Sequence, residues 1–172
     1  MALFIFQVNP EREYRLSDAL TAMTQRNEKI LWLGPKPENN IELKVADMVY
    51  LWESASKRSD QPERQPERLV ARGEVTQAPT LMDMPAWQRM FCVDKETRQS
   101  GAQFHGTGPR AEIRVEFVAT KKVDRDGTNA NPTLRKNSFL RKEPRGFYAK
   151  TIVRLTEPEA RELDELAGWK PL

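Results

Sequence analysis

The stretch Ala111-Glu-Ile-Arg-Val-Glu-Phe-Val118 alternates apolar and polar side chains along its length. A period of two places Ala111, Ile113, Val115 and Phe117 on one face and the charged residues on the other. Such a strand needs a sheet with one covered face, so the chain has to supply partner strands and a core. Leu3-Phe-Ile-Phe-Gln-Val8 is a second β-rich run, and Asn9-Pro10 ends it because proline lacks the amide donor and biases the preceding residue away from helix. Ile30–Leu33, Met48–Trp52, Leu69–Val75 and Thr151–Leu155 supply further short strands. Between the first two, Ser17 reads as an N-cap, with Leu20 and Met23 on one side of a helix running to about Arg26. Residues 123–130 read as a turn region, and a short helix follows Pro132. Thr156-Glu-Pro-Glu159 forms a capping box that opens a last helix; Gly168 ends it, and Trp169 beyond it anchors the tail.

This order predicts an α+β fold: a small mixed barrel with a helix after the first strand and another at the C-terminus. There is no βαβα rhythm and no parallel-sheet signature. The 172 residues fit one domain spanning 1–172. Two polar segments interrupt it. Residues 55–67 carry Gln-Pro-Glu-Arg twice and read as a mobile, hairpin-like excursion, and 94–110 read as a Gly-rich insertion. No apolar run approaches the roughly 18 residues that span a bilayer, and the short apolar start reads as a strand, not a signal peptide. The chain has one cysteine, Cys92, which excludes an intrachain disulfide and fits a reducing cytoplasm.

Catalytic equipment is sparse. The single histidine, His105, lies in a polar Gly-rich loop, where a solvated side chain is the expectation. Cys92 sits in the apolar run Met90–Val93 and reads as a buried, inert thiol. One histidine and one cysteine cannot build a His/Cys metal site, and Gly106-Thr-Gly108 lacks the Lys-Ser/Thr pair of a P-loop. The expectation is a non-enzyme without metal or cofactor.

Binding equipment is richer. The net charge of +3 is uneven: residues 1–109 sum to −1, 110–154 to +7 and 155–172 to −3. A basic segment of that kind suits phosphate neutralisation, though it also describes a solvated loop. Arg135, Lys136, Arg141, Lys142 and Arg145 are its candidate phosphate ligands, with Phe139 and Tyr148 interleaved as possible stackers. Of four tryptophans, Trp32 and Trp87 border loops where a ring could line a pocket and stack a base, or merely close the end of the barrel.

Phe4-Ile-Phe-Gln-Val-Asn-Pro10, a helix, Trp32, Ala46-Asp-Met-Val-Tyr-Leu-Trp-Glu-Ser54 and Leu69-Val-Ala-Arg-Gly-Glu-Val75 follow in an order that resembles the EVE domain. Glu112–Phe117 and the stretch Phe147–Thr156 before the final helix fit the same pattern. EVE domains are PUA-like and similar to YTH domains. The resemblance implies a PUA-like β-barrel that reads a modified base, either modified cytosine in DNA or a modified base in RNA, single-stranded or flipped, in settings linked to restriction or defence. It assigns Asn9 and Trp32 to the base pocket. Trp52 and Ser54, two apart on one strand face, become wall and hydrogen-bond candidates, and Trp87 could close the cage. Ala46 and Ala55 stand where the family usually has glycine, and 55–67 is longer than its tight turn. A general RNA-binding module, or a small-molecule binder or enzyme using the same pocket, are the alternatives.

Overall fold

The computed structural model describes residues 1–11, 14–34, 42–56, 63–82, 84–93, 110–141 and 152–172. The strands are β1 (Leu3–Val8), β2 (Ile30–Leu33), β3 (Met48–Glu53), β4 (Arg68–Thr80), β5 (Arg110–Val123), β6 (Ile152–Leu155) and β7 (Trp169–Pro171). The helices are α1 (Leu16–Arg26), α2 (Ala86–Arg89), α3 (Arg125–Ala130) and α4 (Glu157–Ala167), with a 3₁₀ turn at Leu134–Lys136. The fold is mixed α+β, with helices after the first strand and near the C-terminus, as the sequence predicts. No described helix is long and apolar enough to cross a membrane.

The strands form one sheet in the order β2-β5-β4-β3-β1-β6, with β7 added beside β5. No ladder among the described residues joins β2 to β6, so the sheet is open where a closed barrel was expected. It is nevertheless strongly curled. Leu31 and Leu33 of β2 share one core with Phe4, Phe6 and Val8 of β1, although three strands separate the two in the sheet. That core also takes Leu16, Ala19, Leu20 and Met23, the buried stripe of α1, spaced as one helical face requires. The opposite face of β1 and β3 packs Ile5, Tyr50 and Trp52 against Leu163 and Ala167 of α4.

Several local expectations change. β1 pairs with β3 in parallel, Leu3 opposite Met48 through Val8 opposite Glu53. Both strands are buried on two faces, so their near-continuous apolar runs hide the pairing direction. Ser17 is not the cap of α1. Arg15 holds that position without a side-chain cap, and Ser17 turns to Glu53, donating its amide (2.9 Å) and hydroxyl (2.6 Å) to the carboxylate. The expected turn at 123–130 contains α3, capped by Asp124, whose carboxylate accepts from the Gly127 amide and is held below the usual carboxylate range mainly by that bond. The capping box at Thr156 and Glu159 is present, and Gly168 ends α4 in the left-handed conformation at φ 56°. Ser56 and Gln65 pair across the base of the 55–67 excursion; its residues 57–62 lie outside the described residues, as do 94–109 of the second expected insertion.

Gly73 shows how tightly β4 and β5 are pressed together. A Cβ there would lie 2.4 Å from the Arg114 carbonyl oxygen on the neighbouring strand, next to a register shift in the ladder. A backbone atom in a central ladder cannot step aside as a flexible side chain can. Gly73→Ala is expected to cost about 1–3 kcal/mol, measured as a shifted denaturant midpoint.

Candidate functional site

Trp32 sits on β2, whose alternation turns Leu31 and Leu33 into the core and leaves Trp32 half-buried. On one side β2 pairs with β5, Trp32 opposite Glu112. On the other it would expose unpaired backbone, the usual liability of an edge strand. Gln88 of α2, fully buried, takes that place. Its Oε1 accepts from the Trp32 amide (3.0 Å) and its Nε2 donates to the Trp32 carbonyl (2.6 Å), as a neighbouring strand would. The backbone of Trp32 is therefore fixed from both sides while its ring is left to a cleft.

That cleft is lined by Phe6 and Val8 of β1, Tyr14, Trp32 to Gly34, Met84 and Arg110. Its free space is ≈ 20 Å³, room for about one water. The walls are mostly apolar, with two polar groups set among them. Arg110, 1% exposed at the start of β5, brings a guanidinium, a donor-only group. Tyr14, 2% exposed, brings a hydroxyl that has no hydrogen-bond partner among the described residues. Burial pushes this hydroxyl well above the ordinary tyrosine range, so it stays protonated and able to donate; Cys92 adds to that push, and the side-chain amide of Gln88, near the hydroxyl but outside hydrogen-bonding geometry, opposes it.

Asn9 does not line the cleft, against expectation. Its Oδ1 accepts from the Glu11 amide (2.9 Å) and its carbonyl accepts from the Tyr14 amide (3.1 Å). It closes the loop that delivers Tyr14, and so it positions a wall residue without being one. Tyr14 also bridges to Cys92, the buried thiol whose Sγ lies 3.5 Å from Met84 Sδ. Trp87 stands further back. Its ring meets Phe91 at 6.4 Å, Phe91 meets Tyr14 at 6.4 Å, and Arg26 lies over Trp87 at 5.9 Å. Trp87 thus buttresses the cleft from behind.

Trp52 is removed from the pocket by its position. β3 lies between β4 and β1, so Trp52 faces the second core and is fully buried there. Phe139 packs edge-on against it at 5.7 Å and is itself buried, which excludes a stacking role at the surface. Ser54, two residues on, accepts from Gln7 Nε2 (2.8 Å) and does not line the cleft.

The basic segment also divides. Arg110 and Arg125 are buried. Arg114 pairs with Glu74 (3.1 Å), and Lys122 with Asp124 (3.1 Å). Arg135, Lys136 and Arg141 are exposed on and after the 3₁₀ turn. Lys142, Arg145 and Tyr148 lie outside the described residues, as does His105. No group of three or more potential metal-ligating side chains occurs among the described residues.

Tyr14, Met84 and Arg110 were missed in the sequence. Tyr14 sits in Glu-Arg-Glu-Tyr-Arg, where no apolar pattern sets it apart, and Arg110 counts in the sequence only as the first cation of the basic segment. Only the long-range packing of β1, β2 and β5 brings them together.

Comparison with solved structures places the chain among similar folds. A hypothetical protein from Leishmania major superposes with a TM-score of 0.60 at 11% identity, covering 97% of this chain and 94% of its own. An X-ray structure of a Pseudomonas syringae protein gives 0.59 at 10% identity, covering 96% and 99%. The NMR structure of a Rhodopseudomonas palustris protein gives 0.56 at 11% identity, covering 98% and 94%. At these identities the likeness is one of fold, and it extends over nearly the whole chain. No family model and no curated protein sequence matches the chain.

Proposed function

We propose that this chain is a PUA-like domain of the EVE type, a non-catalytic reader of nucleic acid that takes a modified base into the Tyr14–Trp32 cleft. The observation that carries the reading is the buried Tyr14 hydroxyl, without a partner among the described residues, in the wall of an apolar cleft with the half-buried Trp32 ring beside it. A base offers a flat face for Trp32 and acceptor atoms on its edge for Tyr14 and Arg110. A methyl mark on that base would meet Phe6, Val8, Leu33 and Met84. One buried methyl contributes about 0.8 kcal/mol, roughly fourfold in affinity, so useful discrimination requires close contact on every side. The curl of the sheet, which brings β1 and β2 to one core, supports the PUA-like assignment.

Entry of a base needs more space than one water occupies. Gln88 holds the backbone of Trp32, so the opening motion is rotation of the ring. The test is fluorescence anisotropy with a panel of DNA and RNA oligonucleotides carrying different modified bases. One modification is expected to bind at least about fourfold more tightly than its unmodified counterpart, the worth of one buried methyl. Equal affinity across the panel would reduce the domain to a general nucleic-acid binder. Binding of a free small molecule and of no oligonucleotide would overturn the reading.

Tyr14→Phe separates a binding role from a structural one. Leaving a buried hydroxyl unpaired costs about 1–3 kcal/mol, and removing the hydroxyl relieves that cost. The variant is expected to unfold at a higher denaturant concentration than the wild type. Affinity for the preferred oligonucleotide is expected to fall about fivefold to tenfold, the worth of roughly one hydrogen bond. A tyrosine kept for stability alone would give the opposite change in midpoint.

A further inference from the structure

A wider groove, with ≈ 420 Å³ of open space, lies between α1 and the strands β4, β5 and β7. Arg68 of β4, Lys121 and Lys122 of β5 and Lys170 of β7 line it, and no carboxylate does. Ser17 and Thr21, one turn apart on α1, complete the wall, their hydroxyls already donating to Glu53 (2.6 Å) and to the Ser17 carbonyl (3.1 Å). Arg68 donates weakly to Ser17 Oγ (3.4 Å) and Lys122 is paired with Asp124 (3.1 Å). Lys121 and Lys170 are exposed and make no ion pair among the described residues. Two of these four cations, Arg68 and Lys170, lie outside the basic segment that the sequence singles out. The groove assembles because β7 pairs with β5, setting Lys170 opposite Val118.

We propose that this groove carries the phosphate backbone of the bound nucleic acid, leading it away from the cleft that holds the base. This rests on the nucleic-acid reading of the Tyr14–Trp32 site. Ser17, at one end of the groove, is three residues from Tyr14 in the wall of the cleft, so their backbones are at most about 11 Å apart. Lys121 lies nine residues along β5 from Glu112, the partner of Trp32, at most about 30 Å away. The α1 wall of the groove is therefore close along the chain to the wall of the cleft. Its chemistry suits a polyanion: cations from three strands share one channel whose lining holds no carboxylate. A single phosphate would need a tighter cage than this width provides. The exposed pair Arg135 and Lys136 belongs to a separate surface on the 3₁₀ turn.

The test compares two double variants of equal charge change, Lys121→Gln with Lys170→Gln, and Arg135→Gln with Lys136→Gln. All four side chains are exposed, and unchanged thermal midpoints would verify that the fold is kept. Labelled 12-nucleotide single strands, unmodified and carrying the preferred base, are titrated by anisotropy across a salt series. The groove variant is expected to lose at least tenfold affinity for both strands at low salt. Its log-affinity against log-salt slope should be shallower by about 1.4, the loss of two single-strand phosphate contacts. The ratio of affinities between the two strands should stay as in wild type, and the Arg135/Lys136 variant should lose much less. Equal losses in both variants would show a non-specific charge effect and overturn the groove; so would wild-type affinity in the groove variant. A wild type without preference for any modified base, combined with the groove-specific loss, would sink the base reading while the backbone groove stands.

Discussion

Trp52→Ala is expected to lower the unfolding free energy by about 3–5 kcal/mol, the range for truncating a large aromatic in a core. That is a large part of the roughly 5–15 kcal/mol that holds a domain of this size folded. Trp52 is fully buried on the central strand β3. Its ring meets Phe139 edge-on at 5.7 Å with an interplanar angle of 82°, and the Arg125 guanidinium lies over it at 5.5 Å. Its indole nitrogen donates to Glu67 (3.2 Å), the same carboxylate that pairs with Arg125. Arg125 touches both rings of this edge-on pair, since it also lies 4.3 Å from the centre of the Phe139 ring. Removing the indole leaves a void that the strands cannot close, and it exposes a buried ion pair to an empty space of poorer dispersion contact. Urea denaturation of wild type and variant measures the change. The folded fraction should keep its preference for the modified base, because Trp52 is not part of the cleft. A loss below about 1 kcal/mol would mean that the second core does not depend on this ring.

Trp52 and Trp32 look alike in the sequence. Each sits among apolar residues in a short strand, and each precedes a break. The sheet order separates them. β3 is enclosed by β4 and β1, and its outer face is covered by α4; β2 pairs with β5 on one side and, among the described residues, has the side chain of Gln88 on the other. Pairing order depends on contacts dozens of residues apart, so it has no local signal. What is local was legible. The apolar runs marked β1, β2 and β3 nearly to the residue, and Thr156 with Glu159 marked the start of α4 because a capping box is a four-residue device. The parallel pairing of β1 with β3 was not, since a strand buried on both faces shows no alternation from which direction could be argued.

A charge sum is blind to placement for a related reason. A sum over residues 110–154 counts Arg110 and Arg125 as though they faced solvent, whereas both are buried, and it counts Arg114 without Glu74, its partner on β4. The cations that share an open groove come from β4, β5 and β7 and are scattered through the chain. Besides the β7–β5 ladder, one carboxylate ties the tail to the sheet. Asp164 Oδ1 accepts from Arg72 (2.8 Å), Tyr50 (3.0 Å) and Trp169 (2.8 Å), and this ties α4 and β7 to the sheet. Arg72 also stacks on Phe117 at 4.8 Å, so it is held as part of the scaffold. Lys170 owes its place in the groove to the β7–β5 ladder, which that network supports. Trp169, expected to anchor the tail, does so by this contact.

Trp32→Ala is expected to abolish preference for the modified base and to weaken binding of the preferred oligonucleotide by about 5- to 150-fold, the roughly 1–3 kcal/mol that one base–aromatic stack contributes. The change in stability should be small, below about 1 kcal/mol, because the ring is half-buried and the two hydrogen bonds to Gln88 use the backbone, which alanine retains. The salt slope should match wild type, since no cation is touched. Trp32→Phe keeps a smaller aromatic face at the same place and should recover part of the preference, whereas Trp32→Leu, apolar but not planar, should not. That ordering distinguishes stacking from simple hydrophobic cover. Selectivity that survives Trp32→Ala would place the base elsewhere and remove the reason for reading the Tyr14 hydroxyl as a ligand donor. Selectivity lost together with the fold would instead mean that the ring serves β2 more than it serves a ligand; the unchanged backbone clamp of Gln88 argues that the two can be pulled apart.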